Sequence, residues 1–337
     1  MRKFFKYIAT IMCLVFLLPF LLTIKFNETG GSFETFDGDN KDDNAEINNV
    51  EHIVYDYGAY KTIKVQMEDG SIVDMNLDEY LLGVVSAEMP ANYEIEALKA
   101  QAVVARTYTL YTIIHSNKHG DGTICTNSSC CQAWLSKEDR MSKWDEDEKE
   151  SNWNKIEEAV YSTSGEVIEY NGEVIDAFFH ANSGGKTEIP VNVWGGEDYP
   201  YLQSVETSGE DGYIQYSSEN IVAKSELERI IKEKYSDFSI DWNNNPIEIK
   251  EYTNSNRVKT IKIGNKNLSG VEVRSLFKLK SANFICKIEG DNIKFSVTGY
   301  GHGVGLSQTG ADSMAKNGAN YKDIINHFYA NVQIVSL

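Results

Sequence analysis

The chain has 337 residues, 50 acidic side chains against 32 lysines and arginines, and a formal net charge of −18 at pH 7. Binding to nucleic-acid phosphates needs a basic footprint, so this balance argues against a nucleic-acid partner. Beyond the N-terminal segment about 280 residues remain, which is enough for one large domain or two small ones.

A mostly apolar, uncharged run from Tyr7 to Ile24 follows a short basic stretch at the N-terminus. Its length is near the minimum that crosses a bilayer as a helix, and the preceding positive charges orient the N-terminus inward. We therefore predict a cytoplasmic tail (1–6), a single-pass membrane anchor (7–24) and an acidic, flexible tether (25–57), with the remainder outside the membrane. A cleaved signal peptide is the alternative, although no small-residue cleavage site follows the run.

A predicted hairpin, from Lys61 to Met67 and from Ser71 to Met75, leads into a helix that opens at Asn76 and is stopped by Pro90. Glu88 lies near the end of this helix among Val, Ala and Met. Burial in such surroundings raises the pKa of a carboxyl group, because it disfavours the charged form. Glu88 is therefore a candidate proton donor near neutral pH, and a surface acid at a frayed helix end is the alternative.

Small and apolar residues repeat with a helical period from Tyr93 to His115, which predicts a second helix. Four soft or borderline metal ligands follow within thirteen residues: His119, Cys125, Cys130 and Cys131. Tetrahedral zinc prefers such ligands, and with all four positions filled by protein the predicted zinc site is structural. Disulfide bonds are the alternative outside the membrane, where Cys286 adds a further thiol.

Two predicted strands, from Glu166 to Tyr170 and from Val174 to Phe179, lead into a polar, glycine-containing segment from His180 to Thr187. Its glycines allow close backbone approach, and Ser183 is one of several hydrogen-bonding side chains there. Trp194 follows soon after. Aromatic faces beside amides and hydroxyls suit sugar rings, and an ordinary turn with core aromatics is the alternative.

The stretch 208–271 has a more variable residue pattern than its surroundings and is a candidate inserted subdomain. It contains a predicted helix from Lys224 to Tyr235 and a predicted strand from Val258 to Ile263. The later predicted elements are a strand from Ile293 to Thr298 and helices from Ser307 to Lys316 and from Tyr321 to Tyr329. Helices and strands in mixed order indicate an α+β fold with a groove, rather than a doubly wound sheet.

The loop from Gly299 to Ala311 is the most glycine-rich part of the chain. Its spacing never gives G-x-G-x-x-G, and no Lys follows as in a P-loop, which argues against a nucleotide. His302, flanked by glycines, is expected to be exposed in a cleft. Ser307 and Gln308 are placed either to bind hydroxyl groups or to cap the following helix. For the loop as a whole, a tight turn with a purely structural role is the alternative.

Five groups of residues, in this order along the chain, carry a resemblance to a known family. They are Ser86–Pro90, Ala97–Thr107, Ser183–Thr187, Trp194–Gly195 with Pro200–Leu202, and Gly301–Ala311. Together they resemble the stage II sporulation protein D (SpoIID) family, whose relatives include amidase enhancer proteins. The resemblance extends over about residues 58–337, so this region is the expected catalytic part.

The resemblance implies a lytic transglycosylase, a lyase that degrades the cell wall by cutting peptidoglycan glycan strands during engulfment in sporulation, at the engulfing or septal membrane. It implies strands stripped of stem peptides by stage II sporulation protein P, with stage II sporulation protein M as scaffold. By position, Glu88 corresponds to the catalytic acid, and Arg106 and Tyr201 to residues associated with the active site. Gln203 stands where the family often has a basic residue. Some members bind zinc through two His and two Cys, and here Cys130 occupies the second His position.

In such a reaction neutral Glu88 would protonate the oxygen between N-acetylmuramic acid and N-acetylglucosamine, then accept the C6 hydroxyl proton as a 1,6-anhydro ring closes. A hydrolase would need a second carboxylate, for which Asp176 and Glu188 are candidates. Direct contact with Arg106 would lower the pKa of the acid, so Arg106 is expected to act through substrate or water.

The predicted substrate-binding residues are Arg106, Tyr201, Ser183, His302, Ser307 and Gln308. No organic cofactor is implied. The competing function is a glycan-binding module that activates a cell-wall amidase without cutting the glycan itself. A zinc peptidase is disfavoured, because H-E-x-x-H does not occur in the sequence.

Overall fold

The structure, a computed structural model, describes residues 57–116, 118–120 and 122–337. Its helices are α1 (Leu77–Glu88), α2 (Ile95–His115), α3 (Lys137–Met141), α4 (Lys149–Tyr161), α5 (Pro190–Trp194), α6 (Lys224–Lys234), α7 (Gly270–Leu276), α8 (Gln308–Lys316) and α9 (Tyr321–Phe328). Its strands are β1 (Thr62–Gln66), β2 (Ile72–Asn76), β3 (Thr123–Cys125), β4 (Glu166–Tyr170), β5 (Glu173–Val174), β6 (Phe179–His180), β7 (Ser217–Ala223), β8 (Ile247–Tyr252), β9 (Val258–Ile263), β10 (Lys266–Ser269), β11 (Phe284–Glu289), β12 (Asn292–Thr298), β13 (Leu306–Ser307) and β14 (Gln333–Ser336).

The first hydrophobic core is built around α2, which is buried along most of its length. Its alanines at 97, 100, 102 and 105 are fully buried, and these small side chains let α1, α4, α8 and α9 approach closely. Strands β3 and β4 also contact it. A helix that is buried on all sides belongs at the centre of a domain, so α2 is the element that orders the others.

Local sequence closes α1 at both ends. The Asn76 side chain accepts a hydrogen bond from the backbone N–H of Glu79 (3.3 Å), which caps the first turn. At the other end Met89 is extended (φ −123°, ψ 142°), the conformation favoured before a proline such as Pro90. Glu88 is therefore the last helical residue, and the chain turns away immediately after it.

A second hydrophobic core occupies the region predicted as an inserted subdomain and continues beyond it. One sheet has the order β11-β12-β7 and another the order β10-β9-β8. Leu227 and Ile231 of α6 share this core with Phe284 of β11 and Phe295 of β12. Because β11 and β12 follow residue 271, a boundary at that position would divide the core.

Buried polar contacts tie the second core to the segment that follows β6. Arg257, just before β9, donates from Nη2 to the Ser183 carbonyl (2.9 Å), and the Ser255 hydroxyl donates to Glu188 (2.6 Å). Gly303 packs against the same guanidinium, with φ +89°. A Cβ there would lie 2.1 Å from Arg257 Nη2, so only glycine fits without displacement.

The strand predicted from Val174 to Phe179 is wrong in its extent, because the structure has two short strands, β5 and β6, instead. Between them the Phe178 N–H bonds to the Asp176 carbonyl (3.0 Å), a tight turn that interrupts extended pairing. Strand β6 then pairs in parallel with β13. This pairing brings the start of α8 beside the segment that follows β6.

The mixture of helices and several sheets agrees with the α+β prediction. In the part of the chain that the structure describes, no helix combines the length and apolar character needed to cross a bilayer. The predicted tail (1–6), anchor (7–24) and tether (25–57) lie outside the described residues, apart from Tyr57, which begins a short 3₁₀ helix (Tyr57–Lys61).

Candidate active site

A cleft of about 900 Å³ opens at the C-terminal end of α1. Its lining includes Glu88 from α1, the segment 128–131 that follows β3, and Arg140 from α3. His302 from the glycine-rich loop and Gln308, the first residue of α8, line it as well. Three residues singled out from distant parts of the sequence, Glu88, His302 and Gln308, therefore meet in one cavity.

Glu88 is held through both carboxyl oxygens. Oε1 accepts a hydrogen bond from the backbone N–H of Ala133 (2.7 Å), and Gln308 Nε2 lies 3.5 Å from Oε2. Burial raises the pKa of Glu88, while the hydrogen bonds from Ala133 and Gln308 act in the opposite direction and only reduce the rise. The carboxyl group therefore keeps its proton to a higher pH than an ordinary glutamic acid.

Gln308 reaches Glu88 from a fixed position at the start of α8. Its Nε2 also lies 3.4 Å from Oε1 of the buried Gln101 on α2. The residue before it, Ser307, is the N-cap of α8 and accepts from the Gly310 N–H (3.3 Å). Gln308 thus links the candidate acid to the central helix, and Ser307 has the capping role that the sequence left open.

An aromatic surface forms another part of the cleft. Trp194, 51% exposed, stacks on Phe178 with ring centroids 4.6 Å apart and an interplanar angle of 35°. His302 lies 5.1 Å from the Trp194 ring. An exposed indole face beside hydrogen-bonding groups is what a sugar ring needs, since its C–H face stacks and its hydroxyls require polar partners.

The two histidines of the cleft, His180 and His302, lie with ring centroids 5.7 Å apart. Burial lowers the pKa of both, to about 4 for His180 and well below the ordinary histidine value for His302. The Val304 carbonyl lies 3.1 Å from His180 Nδ1, and the Val304 N–H donates to His302 Nδ1 (3.1 Å). Both rings are therefore neutral, with Nδ1 protonated on His180 and Nε2 on His302.

Arg106 does not line the cleft. Its fully buried side chain forms an ion pair with Asp78 (2.9 Å) at the start of α1 and donates to the carbonyls of Glu166 (3.1 Å) and Val160 (3.3 Å). The expectation that Arg106 meets Glu88 through substrate is therefore corrected. The guanidinium of Arg106 instead connects α1, α4 and β4 to α2.

Ser183 and Ser307 also lie away from the cleft surface, bonded to a carboxylate that the sequence analysis missed. Buried Glu210 accepts from Ser183 Oγ (2.5 Å), Thr207 Oγ1 (2.6 Å) and the Gly185 N–H (2.9 Å), and Ser307 Oγ donates to it as well. Burial alone would raise the pKa of Glu210, but these hydrogen bonds together lower it to about 2. The two serines are structural, and no local motif marks Glu210 in the sequence.

Tyr201, predicted to bind substrate, does not line the cleft: it is buried in the first core, and its hydroxyl accepts from the Asp176 N–H (3.1 Å). Burial raises the pKa of Asp176 to about 7, and Lys118 opposes that rise. Glu188 is buried and engaged by Ser255 and Asn192. Among the described residues that line the cleft, neither Asp176 nor Glu188 is present, and Glu88 is the one carboxylate.

The four predicted metal ligands converge. One ligand atom from each of His119, Cys125, Cys130 and Cys131 lies within 4.8 Å of the others. His119 Nε2 is 3.3 Å from Cys130 Sγ and 3.4 Å from Cys131 Sγ, and all three thiols are free. Sulfurs bound to one tetrahedral zinc lie about 3.8 Å apart, so this donor set fits the metal in both chemistry and size.

The segment after the cysteine cluster carries the hydrogen-bond donor of Glu88. Ala133 is two residues beyond Cys131, and the next residue, Trp134, packs on α1 at Gly83. A Cβ on Gly83 would lie 2.2 Å from the Trp134 indole nitrogen, so glycine is required for this close approach. The cluster and the candidate acid are therefore parts of one local structure.

Comparison with known proteins gives consistent matches. A family model described as "Stage II sporulation protein" matches residues 66–170. The chain is 31% identical to stage II sporulation protein D of Bacillus subtilis (strain 168), over 99% of this chain and 96% of that protein. It is 32% identical to stage II sporulation protein D of Bacillus amyloliquefaciens, over 78% of this chain and 75% of that protein. A B. subtilis protein named amidase enhancer is 27% identical, over 76% of this chain and 40% of that protein.

Proposed function

Because the chain belongs to the stage II sporulation protein D family, we propose that it is a lytic transglycosylase that cuts peptidoglycan glycan strands during endospore engulfment. Its products would carry 1,6-anhydro-N-acetylmuramic acid ends. The observation that carries this proposal is Glu88, a carboxyl group of raised pKa in a cleft with an exposed aromatic face.

The reaction needs one group that first gives and then takes a proton. Neutral Glu88 donates its proton to the glycosidic oxygen as the bond to C1 of N-acetylmuramic acid breaks. Positive charge develops at C1, and the C6 hydroxyl of the same sugar attacks it. The hydroxyl proton passes to the Glu88 carboxylate, which restores the acid. No water enters the products.

The residues of this cleft suit glycoside hydrolysis less well than lytic transglycosylation. Glycoside hydrolysis usually employs two carboxyl groups, about 5–5.5 Å apart in retaining enzymes and about 6.5–9.5 Å apart in inverting ones. Among the described residues, Glu88 has no carboxylate partner in the lining of the cleft. An intramolecular hydroxyl nucleophile removes the need for one.

Product analysis tests the proposal. The full-length chain is incubated with purified glycan strands freed of stem peptides, and the ends are identified by mass spectrometry. We expect anhydro ends, lighter by one water than the corresponding reducing ends. Reducing ends would identify a hydrolase. Unchanged strands, together with faster turnover by a cell-wall amidase, would identify the competing function, a glycan-binding activator.

Partners and location follow from the same proposal. One relative is named amidase enhancer, which supports cooperation with a cell-wall amidase. We expect stage II sporulation protein P to supply peptide-free strands and stage II sporulation protein M to serve as membrane scaffold. The proposed location is the engulfing or septal membrane, with residues 7–24 as a single-pass anchor and the catalytic region outside the cytoplasm.

Zinc bound by His119, Cys125, Cys130 and Cys131 would be structural, since protein fills all four positions. Its contribution would be to fix the segment that presents the Ala133 N–H to Glu88. We expect the purified chain to contain zinc, and metal removal to lower both the melting temperature and the cleavage rate, the latter by about tenfold or more.

Elemental analysis, thermal unfolding and strand cleavage measure these effects before chelation, after it, and after zinc is restored. Cys130→Ser should lose the metal, whereas Cys286→Ser, which alters a thiol outside the cluster, should keep it. Full activity and unchanged stability of the metal-free chain would contradict the proposal.

A further inference from the structure

Arg140 contributes a cation to the cleft and forms no ion pair with a carboxylate among the described residues. It lies on α3, lines the cleft, and stacks over the Trp144 ring at 4.6 Å. Its Nε is buried and has no hydrogen-bond partner among the described residues. Burial lowers the pKa of Arg140, and no neighbouring acid offsets this effect.

Two other arginines of this acidic chain, one buried and one exposed, are paired with carboxylates. Arg106 is paired with Asp78, and the exposed Arg229 is paired with Glu226 and Glu233. A guanidinium that has lost part of its hydration and gained no anion is costly in the free protein. That cost is relieved when a ligand carboxylate arrives, because Arg offers it two parallel, charge-assisted hydrogen bonds.

The proposed substrate has one group that meets this requirement. Sugar hydroxyls, ring oxygens and acetamido groups are uncharged. The lactyl group of N-acetylmuramic acid ends in a carboxylate when the stem peptide has been removed, and in an uncharged amide when the peptide is attached. A cation in the cleft therefore distinguishes the two forms at the position where they differ.

We infer that Arg140 binds the free lactyl carboxylate of N-acetylmuramic acid and so makes the cleft selective for peptide-free strands. This inference rests on the proposed function, because it takes the glycan strand as the occupant of the cleft.

The placement of Arg140 is compatible with the role of Glu88. Both residues line the same cleft, yet the pKa of Glu88 is set by burial, Ala133 and Gln308 alone. A cation in contact with the acid would lower its pKa and oppose proton donation. The lactyl group is carried on C3 of N-acetylmuramic acid, whereas the bond to be cut starts at C1, so one bound sugar can engage both Arg140 and Glu88.

Lys118 also lines the cleft but is a poorer candidate. Its side chain is exposed, and Nζ already donates to the Cys130 carbonyl (3.2 Å). A hydrated ammonium held by a backbone oxygen gains less from a carboxylate than a partly dehydrated guanidinium does. The inference therefore assigns recognition to Arg140.

The test compares two strands that differ only in that carboxyl group: peptide-free strands with free lactyl carboxylates, and the same strands after coupling to methylamine, which makes them neutral methylamides. The full-length wild-type chain should have a kcat/KM about 10- to 100-fold higher on the carboxylate strands, mainly through KM. Arg140→Gln should lose this preference by falling on the carboxylate strands alone. Arg140→Lys, which keeps the charge and loses the planar fork, should be intermediate.

Lys143→Gln is the matched control, because it removes the same charge three residues away at an exposed side chain that does not line the cleft. It should behave like the wild type. Wild-type indifference to the two strands would overturn the inference, and so would an Arg140→Gln variant that is weakened equally on both. If the wild type cleaves neither strand, the proposed function fails, and equilibrium binding of fluorescently labelled strands then decides the inference by the same comparison.

Discussion

Replacing Glu88 by glutamine should abolish strand cleavage and leave the fold intact. The amide has the same shape as the acid, and its oxygen can still accept the Ala133 N–H that now binds Oε1. It has no proton to give to a departing sugar oxygen. Loss of a positioned acid costs about 10²- to 10⁴-fold, and a group used in both half-steps should lie at the upper end of that range.

The measurement is the rate of anhydro-end release by wild type and Glu88→Gln, with circular dichroism and thermal unfolding as checks on folding. The pH profile adds an independent readout. Only protonated Glu88 starts the reaction, so wild-type activity should fall as pH rises through the raised pKa. Cleavage by Glu88→Gln at the wild-type rate would remove Glu88 from the mechanism.

Replacing Arg106 by alanine should reduce the free energy of unfolding by about 3–5 kcal/mol. The substitution removes the fully buried cation of the ion pair and leaves Asp78 without its partner. The carbonyls of Val160 and Glu166 each lose the hydrogen bond from Arg106 in the same change. Chemical denaturation measures the effect. We expect the remaining folded protein to keep its KM for glycan strands, because Arg106 does not line the cleft.

Lys137→Ala is the comparison for that experiment. Lys137 forms an exposed ion pair with Glu157 at 3.7 Å, and such pairs contribute about 1 kcal/mol or less. A stable Arg106→Ala chain with a raised KM would reverse the assignment, because it would mean that Arg106 contacts substrate and contributes little to the fold.

The ends of α1 and the convergence of the four candidate metal ligands could be predicted from the sequence, because local chemistry and short separation along the chain determine them. Asn76 and Pro90 mark the limits of α1, so Glu88 could be placed at the helix end. The four candidate ligands lie within thirteen residues of the sequence, a separation short enough for their side chains to converge. The predicted strands Glu166–Tyr170 and Val258–Ile263 were confirmed as β4 and β9, because both are short runs rich in β-branched or aromatic residues and each is followed by a glycine-containing turn.

The features that the sequence analysis missed or predicted wrongly are those determined by tertiary contacts. The helical period placed Arg106 on α2 but could not show that the side chain points to Asp78, away from the cleft. Glu210 lies in an irregular segment, and its donors come from three separate parts of the chain. The Asp176–Phe178 turn, which splits the predicted strand, contains neither Gly nor Pro to mark it in the sequence.

The contacts of Arg257 and Ser255 with the segment after β6 affect how the molecule opens. When the second core loosens, Ser183 and Glu188 lose these contacts, so the segment after β6, whose first residue Ala181 lines the cleft, loosens with it. Amide protons in both regions should then exchange with solvent as one cooperative unit. A fragment that retains only the first core would lack these contacts. The second core is therefore needed for the structural integrity of the segment after β6 and is not a domain that can be removed independently.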